Sequence, residues 1–296
     1  MARIDRIQGI IPPMTTPFDD RGEVDMSALG HQTRWLLQAG VHGLAVGGST
    51  GEGHTLDEEE LRAVVAAVCE EAGGRVPVIA GIIVDSTRDA VRRGRALQGL
   101  NVAALQVTPV HYLFRPDDDA MLEHFRVVAD ETRLPLIIYN VVPWSYLSPA
   151  LLRRIMAEVP GVIGVKQSAG DLKLLADLIL DAGPEDRIMS AVDALLYPSF
   201  TLGAHGAIAA ILAAAPHACV GLWDAVQAGE HARALDLHRG LLRLWNAMVA
   251  DNLPACTKYA QALQDVPAGA PRAPMPAASK DQRTAIRLAL DDLPRA

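Results

Sequence analysis

The sequence is poor in cysteine and in aromatic residues, and it has no long apolar run. Its three cysteines, Cys69, Cys219 and Cys256, are far apart and form no C-x-x-C pair, which excludes a zinc knuckle and a thioredoxin-like site. Aromatic residues make up only 4% of the chain, so they offer no stacking platform for nucleic acid. The longest apolar run, residues 207–216, is too short to cross a bilayer.

Basic clusters are also missing. The 296 residues carry a net charge of −8 with no group of lysines or arginines to offset it, which argues against a nucleic-acid partner. The first six residues lack the apolar stretch of a signal peptide. We therefore expect a cytoplasmic protein with no membrane and no nucleic-acid partner.

What the chain does contain is a regular alternation of short apolar segments and amphipathic segments. The predicted strands are residues 9–14, 41–46, 76–84, 102–107, 134–139, 162–166, 187–191 and 206–211. The predicted helices are residues 25–38, 55–71, 87–99, 116–132, 148–158, 172–182, 193–202 and a segment from 216 onward, and Thr55 and Glu58 have the spacing of a capping box. This rhythm predicts an α/β fold of the TIM (β/α)8 barrel type; a doubly wound sheet also alternates, but it rarely needs eight such even units.

The last part of the chain is predicted to be helical. Helices are expected at residues 232–246 and 254–263, followed by a Pro/Ala-rich strap at 266–278 and a last helix at 279–290. The expected division is a barrel with the active site, residues 1–228, and a C-terminal helical region, residues 229–296.

Lys166 is the residue on which the functional prediction depends. It closes the run 162–165, and a β-branched apolar run between turn residues is typical of a buried strand. Burial disfavours the ammonium form of a lysine, and a neutral amine can form a Schiff base with a carbonyl compound. A lysine at a strand end can instead extend its amine into water, so the rest of the chain has to decide between the two.

Three features meet at the carboxyl ends of the predicted strands, where TIM barrels form their active sites. Lys166 ends the sixth strand, Tyr139 ends the fifth, and the glycine-rich segment 47–53 follows the second. That segment lacks the spacing of the phosphate-binding motifs, but its backbone N–H groups and the hydroxyls of Ser49 and Thr50 suit a small carboxylate. It is also consistent with a plain tight turn, and Tyr139 is either a proton carrier or an ordinary strand-end aromatic residue.

Three acidic residues, Glu52, Asp171 and Asp193, are further candidates for proton transfer. Helices often begin with acidic residues because of the helix dipole, so these positions also have a purely structural explanation.

Together these residues resemble the dihydrodipicolinate synthase / N-acetylneuraminate lyase family of Schiff-base-forming TIM-barrel enzymes. The likeness covers nearly the whole chain, and it is specific as a combination of short pieces. Those pieces are Gly48-Ser49-Thr50-Gly51-Glu52, Val107-Thr108-Pro109, Tyr139-Asn140 with Pro143, Gly164-Val165-Lys166, Gly206-Ala207-Ile208 and Arg272-x-Pro274.

The resemblance implies a role for each reacting side chain. Lys166 matches the lysine that forms the imine with pyruvate or another 2-keto acid, and Tyr139 matches the tyrosine that shuttles protons. Ser49 and Thr50 match the hydroxyl pair, of which one relays protons and the other holds the keto-acid carboxylate.

The resemblance also implies the remainder of the pocket and the assembly. Gly48 and the backbone around Ile208 match parts of the keto-acid pocket. The family needs no metal and no organic cofactor, because the lysine itself is the electron sink. Its members are commonly homotetramers built from tight dimers.

The departures from the family concern the second substrate. In the lysine-biosynthesis enzyme an arginine after the Tyr-Asn-x-Pro segment holds the second substrate's carboxylate; here the segment 139–146 is one residue longer and has no arginine. The bulky Trp144 favours an apolar, aromatic or sugar-derived tail. The relay tyrosine contributed by a neighbouring subunit is either Tyr112 or is replaced by His111, which would add pH dependence near neutrality.

The leading hypothesis is a class I lyase that acts on pyruvate or another 2-keto acid through a Lys166 Schiff base, by aldol cleavage or condensation or by dehydration of a keto-deoxy acid. One alternative is 4-hydroxy-tetrahydrodipicolinate synthase, which belongs to lysine biosynthesis. An alternative of another class is a non-catalytic keto-acid-binding protein on the same scaffold.

Overall fold

The computed structural model describes residues 7–294 of the chain, and within them eight parallel strands form one sheet that curls into a barrel. The strands are β1 (Gly9–Ile10), β2 (Leu44–Val46), β3 (Val78–Ile82), β4 (Ala104–Val107), β5 (Leu136–Asn140), β6 (Val162–Gln167), β7 (Arg187–Ser190) and β8 (Gly206–Ala207). Their order is β1-β8-β7-β6-β5-β4-β3-β2, and a parallel bridge between Pro13 and Ala45 brings the chain after β1 against β2. The predicted TIM barrel is confirmed.

Helices connect the strands on the outside of the barrel. They are α1 (Met26–Gln38), α2 (Glu58–Ala72), α3 (Thr87–Ala96), α4 (Asp118–Thr132), α5 (Pro149–Glu158), α6 (Leu172–Leu180), α7 (Leu196–Thr201), α8 (Ile211–Ala214) and α9 (Pro216–Gln227). The C-terminal region contains α10 (His231–Met248), α11 (Leu253–Ala262) and α12 (Lys280–Asp291). The predicted C-terminal helical extension is therefore confirmed, whereas the division at residues 228 and 229 stays a prediction.

Two apolar layers fix the direction of each side chain on the strands. Ile79, Ile137 and Ile208 belong to a small cluster that fills the barrel, whereas Leu105 and Val165 belong to the larger cluster between strands and helices. Successive side chains of a strand point to opposite faces. A residue next to an outward-facing one on the same strand therefore points into the barrel.

The predicted start of α2 was wrong by two residues. Thr55 lies in the short 3₁₀ turn Gly53–Thr55 and is not the N-cap, and Glu58 is already the first helical residue. The N-cap is Asp57, whose carboxylate accepts the N–H of Glu60 at 2.8 Å, while Glu60 accepts the N–H of Asp57 at 3.0 Å. The capping box exists, but Asp57 rather than Thr55 is its N-cap residue.

The eighth predicted strand was too long. It ends at Ala207, and the segment from Ile211 forms the short helix α8. Asp193 Oδ1 accepts the N–H of Ile211 at 2.7 Å, which holds the start of that helix against the end of β7. Asp193 itself begins the 3₁₀ turn Asp193–Leu195 before α7.

No helix within residues 7–294 is long and apolar enough to cross a membrane.

Candidate active site

Lys166 lies near the carboxyl end of β6 with its side chain inside the barrel. Its neighbour Val165 faces the helices, and Lys166 is aligned with Tyr139 on β5. Only 4% of Lys166 is exposed, and its Nζ lies 4.0 Å from the centroid of the Tyr139 ring. A Cβ on Gly164 would lie 2.1 Å from the backbone oxygen of Arg187, so the chain needs a glycine two residues before the lysine.

The phenol of Tyr139 connects the lysine to the glycine-rich loop. Its hydroxyl donates a hydrogen bond of 3.0 Å to Oγ of Ser49, and the tyrosine is 2% exposed. An amine, an aromatic ring and two hydroxyls therefore form one continuous group at the carboxyl ends of the strands.

The loop at residues 47–53 is a tight turn that presents Ser49 to this group. The carbonyl of Gly48 accepts the N–H groups of Gly51 at 3.1 Å and Gly53 at 3.0 Å. A Cβ on Gly53 would lie 1.9 Å from the backbone oxygen of Gly47, so no other residue fits there. Thr50, the second predicted hydroxyl, is buried in the same turn.

Glu52 is not a free proton carrier. Its fully buried carboxylate accepts the ammonium of Lys258 at 2.7 Å and the backbone N–H of Arg272 at 2.8 Å. Burial lowers the pKa of Lys258, and the ion pair with Glu52 opposes that shift. The loop next to the predicted hydroxyl pair is therefore fastened to α11 and to the strap.

Asp193 follows β7 and is electrostatically coupled to Lys166. Its carboxyl group is enclosed, although part of the residue stays accessible. Burial raises the pKa of this carboxyl group to about 6, whereas the hydrogen bond from Ile211 and the positive charge of Lys166 lower it. Asp171 has no such role, because it is exposed and caps α6 by accepting the N–H of Lys173 at 2.8 Å.

Ile208 directly follows β8 and is fully buried in the barrel interior. Its N–H donates to the carbonyl of Ser190 at 2.8 Å, which holds the chain after β8 against β7. The structure thus places Ile208 in the same interior that receives the lysine.

His111, Tyr112 and Trp144 form a separate group on the rim. Nδ1 of His111 lies 3.0 Å from the carbonyl of Pro109 and 3.2 Å from Oδ1 of Asp85. Tyr112 is 65% exposed and Trp144 is 74% exposed, and Nε1 of Trp144 donates to the carbonyl of His111 at 3.1 Å. Within residues 7–294 of one chain, no hydrogen bond joins these side chains to the buried group.

The model of the dihydrodipicolinate synthetase family matches residues 6–293. The chain belongs to this family. The expected family is thereby confirmed, together with the expected enzyme class, a class I lyase.

Named relatives support the match over nearly full length. A 4-hydroxy-tetrahydrodipicolinate synthase of Symbiobacterium thermophilum is 36% identical over 286 residues, which cover 94% of this chain and 95% of the relative. The crystal structure of a dihydrodipicolinate synthase from Bacillus anthracis has 26% identity and a TM-score of 0.93 with full coverage of both chains. A prophage protein of the dihydrodipicolinic acid synthase family from E. coli K12, solved in complex with pyruvate, has 26% identity and a TM-score of 0.92, covering 97% of this chain and 98% of its own.

Three residues outside the family motifs contact the predicted site residues or their loops but were not named as candidates from the sequence. Asp85 accepts the N–H groups of His111 at 3.3 Å and Tyr112 at 3.0 Å, and its place just after β3 was a usable signal. Gln106 is a lone polar residue in an otherwise apolar predicted strand, which was also a signal. Lys258 had no local signal, because its partner Glu52 lies 206 residues earlier.

No cluster of three or more His, Cys, Asp or Glu residues that could hold a metal ion is found among residues 7–294. The absence of a metal and of an organic cofactor stays a prediction.

Proposed function

We propose that the protein is a lyase that forms a Schiff base between Lys166 and pyruvate or another 2-keto acid. The observation that carries this proposal is the buried amine of Lys166, 4.0 Å from the Tyr139 ring, whose hydroxyl lies 3.0 Å from Ser49 Oγ. A nucleophile in contact with a hydrogen-bonded proton carrier is the arrangement that covalent catalysis needs.

The chemistry follows from these groups. Nζ of Lys166 attacks the ketone carbon, the carbonyl oxygen takes up protons and leaves as water, and a cationic iminium remains. Loss of a proton from the adjacent carbon gives an enamine, which attacks an aldehyde carbon; in reverse, the same carbon–carbon bond breaks. The same enamine can also expel a hydroxyl group as water, when that hydroxyl is carried by the second carbon from the imine carbon. Tyr139 and Ser49 move the protons in each step.

The keto-acid carboxylate is held by the glycine-rich loop. Gly48 and Thr50 offer backbone N–H groups and a hydroxyl beside Ser49, and the backbone around Ile208 forms another part of the pocket. Backbone donors suit a carboxylate because they need no reorganisation when it binds.

The rim residues act in the assembled protein. We propose a homotetramer made of tight dimers in which Tyr112, or His111 in its place, reaches a neighbouring site as the proton relay, and Trp144 contacts the tail of the second substrate. The exposed Tyr112, Leu113, Phe114 and Trp144 support this, because grouped exposed apolar side chains favour association. A monomer in sedimentation equilibrium at working concentration would contradict the assembly.

We propose the cytoplasm as the location. The three cysteines are buried free thiols, as is usual in a reducing compartment, and the named relatives are synthases of a small metabolite.

Borohydride trapping tests the proposed function. Wild-type protein incubated with pyruvate and sodium borohydride should gain the mass of a reduced pyruvate adduct on the peptide that carries Lys166. A protein that only binds keto acids shows no adduct, which would contradict the proposal.

A second candidate is 4-hydroxy-tetrahydrodipicolinate synthase itself, favoured by the names of the curated relatives. The segment 139–146, which lacks an arginine, speaks for another second substrate. Turnover of pyruvate with aspartate semialdehyde, compared with cleavage of keto-deoxy sugar acids and of aromatic keto acids, separates the two. The synthase is favoured if aspartate semialdehyde is used at least as efficiently as the other compounds.

A further inference from the structure

Gln106 places a carboxamide inside the barrel. On β4 its neighbours Leu105 and Val107 face the helices, so Gln106 shares the inward face with Ala104. It is 1% exposed, and the cluster that fills the barrel consists otherwise of Ile, Ala and Met side chains. An amide taken out of water costs free energy unless its hydrogen bonds are replaced, so a polar residue here needs a reason.

The acceptor atom of this carboxamide has no partner. Among residues 7–294, Gln106 Oε1 has no hydrogen-bond partner, and the same holds for the hydroxyl of Thr108 two residues further along. Most buried polar atoms of folded proteins are paired. An unpaired acceptor that is buried beside a proposed reaction site can therefore accept a hydrogen bond from a bound molecule.

The carboxamide lies against the loop that carries the proposed hydroxyl group. Nε2 of Gln106 is 3.6 Å from the point where a Cβ of residue 48 would lie, so the amide lies within van der Waals range of Gly48. Ser49, next in sequence, accepts the hydroxyl of Tyr139. On the neighbouring strand, Gln106 is aligned with Ile137, two residues before that tyrosine.

We infer that Gln106 is a specificity-determining residue whose Oε1 accepts a hydrogen bond from a hydroxyl on the carbon chain of the bound keto acid. An amide oxygen accepts only, so it favours a hydroxyl, which donates, over a methylene or a carboxylate at the same place. The substrate class is thus a hydroxylated 2-keto acid, such as a keto-deoxy sugar acid. This inference rests on the proposed Lys166 Schiff base.

Competitive trapping with two keto acids of equal chain length tests the inference. Wild-type protein is incubated with an equimolar mixture of 2-oxobutyrate and 4-hydroxy-2-oxobutyrate and with borohydride. The adducts of each acid on the Lys166 peptide are then counted, and any pyruvate adduct formed by cleavage is added to the count of the hydroxylated acid. The wild type should prefer the hydroxylated acid by about tenfold, the scale of one neutral hydrogen bond. Gln106→Met, which keeps the length but removes the acceptor, should reduce this preference to below about threefold while pyruvate is trapped as before.

Two controls distinguish the outcomes. Gln98→Met changes an exposed glutamine that follows α3 and donates to the carbonyl of Thr132, and it should keep the wild-type preference. Gln106→Leu serves if Gln106→Met fails to fold. If pyruvate is trapped but both Gln106 variants keep the preference, or if only the melting temperature changes, the inference is overturned and the proposed function stands. If no keto acid is trapped by the wild type, the proposed function fails and this inference with it.

Discussion

The two most buried lysines of the described chain, Lys166 and Lys258, have opposite surroundings. Both lie over an aromatic ring, at 4.0 Å from the Tyr139 centroid and 4.5 Å from that of Phe18. Lys258 also donates to Glu52 at 2.7 Å and to the carbonyl of Ala270 at 2.9 Å. For Lys166, no carboxylate within residues 7–294 lies inside the 4.0 Å limit of an ion pair.

This difference indicates that Lys258 stabilises the fold, whereas Lys166 is available for a reaction. Two buried charges stabilise a fold only when they satisfy each other, as Lys258 and Glu52 do. A buried amine with no such partner contributes little to stability, and an enclosed lysine amine beside a hydroxyl group is suited to covalent catalysis. The C-terminal region therefore contains the structural lysine, and the barrel contains the proposed reactive one.

Lys166→Met gives the largest expected effect. Turnover of a keto acid should fall by at least about 10⁴-fold, because the covalent nucleophile is gone. The free energy of unfolding in guanidinium chloride should stay the same or rise, because an apolar side chain replaces a buried amine that has no ion-pair partner within 4.0 Å among residues 7–294. Retained turnover, or a large loss of stability, would remove the distinction between the two lysines.

Lys258→Met should have the reverse pattern. The free energy of unfolding should fall by about 3–5 kcal/mol, because Glu52 is left buried without its cation. The double variant Glu52→Gln/Lys258→Met should recover a large part of that loss. Lys173→Met removes an exposed ion pair with Asp177 and should cost no more than about 0.5 kcal/mol. An equal cost for the buried and exposed variants would contradict the assignment.

Tyr139→Phe tests the proposed proton carrier next to Lys166. Turnover should fall by about 10²-fold, the usual contribution of a positioned proton carrier, while the Lys166 peptide is still trapped, only more slowly. Tyr197→Phe is the matched control, because its hydroxyl lies 3.4 Å from Nδ1 of His231, outside the site. An unchanged rate for Tyr139→Phe would exclude it as the relay.

Asp193→Asn gives the smallest expected effect. Because its pKa is raised to about 6, Asp193 becomes a carboxylate as the pH rises through 6, and its charge then stabilises the cationic iminium on Lys166. The fraction of wild-type protein trapped at fixed pyruvate should gain about threefold relative to Asp193→Asn between pH 5 and 7.5. A constant ratio of the two proteins across this range would show that Asp193 does not act on the iminium.

The barrel, and the proximity of Lys166 to Tyr139, could be predicted from the sequence for a local reason. Lys166 and Tyr139 each end a short apolar run, and parallel strands bring their carboxyl ends to one rim, so local patterns sufficed to place them together. The fine bounds were less predictable: Thr55 and Asp57 are both good N-caps, and only the 3₁₀ turn before α2 decides between them.

Contacts across long stretches of chain were not predictable in the same way. Lys258 stands in a helix with no local sign that it is buried, and its partner Glu52 was expected at most as a helix-start acid or proton carrier. The unpaired acceptor of Gln106 depends on which neighbours pack around it, which no periodicity encodes.

The bonds from Glu52 to Lys258 and to the backbone of Arg272 have a consequence for synthesis. Chains are made from the N-terminus and begin to fold while they emerge. A nascent chain that ends before residue 258 already holds Lys166, Tyr139 and Ser49, yet its Glu52 has no cation. We therefore expect the loop to reach its final shape only when the last helices have left the ribosome, so that the earliest segment of the site is the last to be completed.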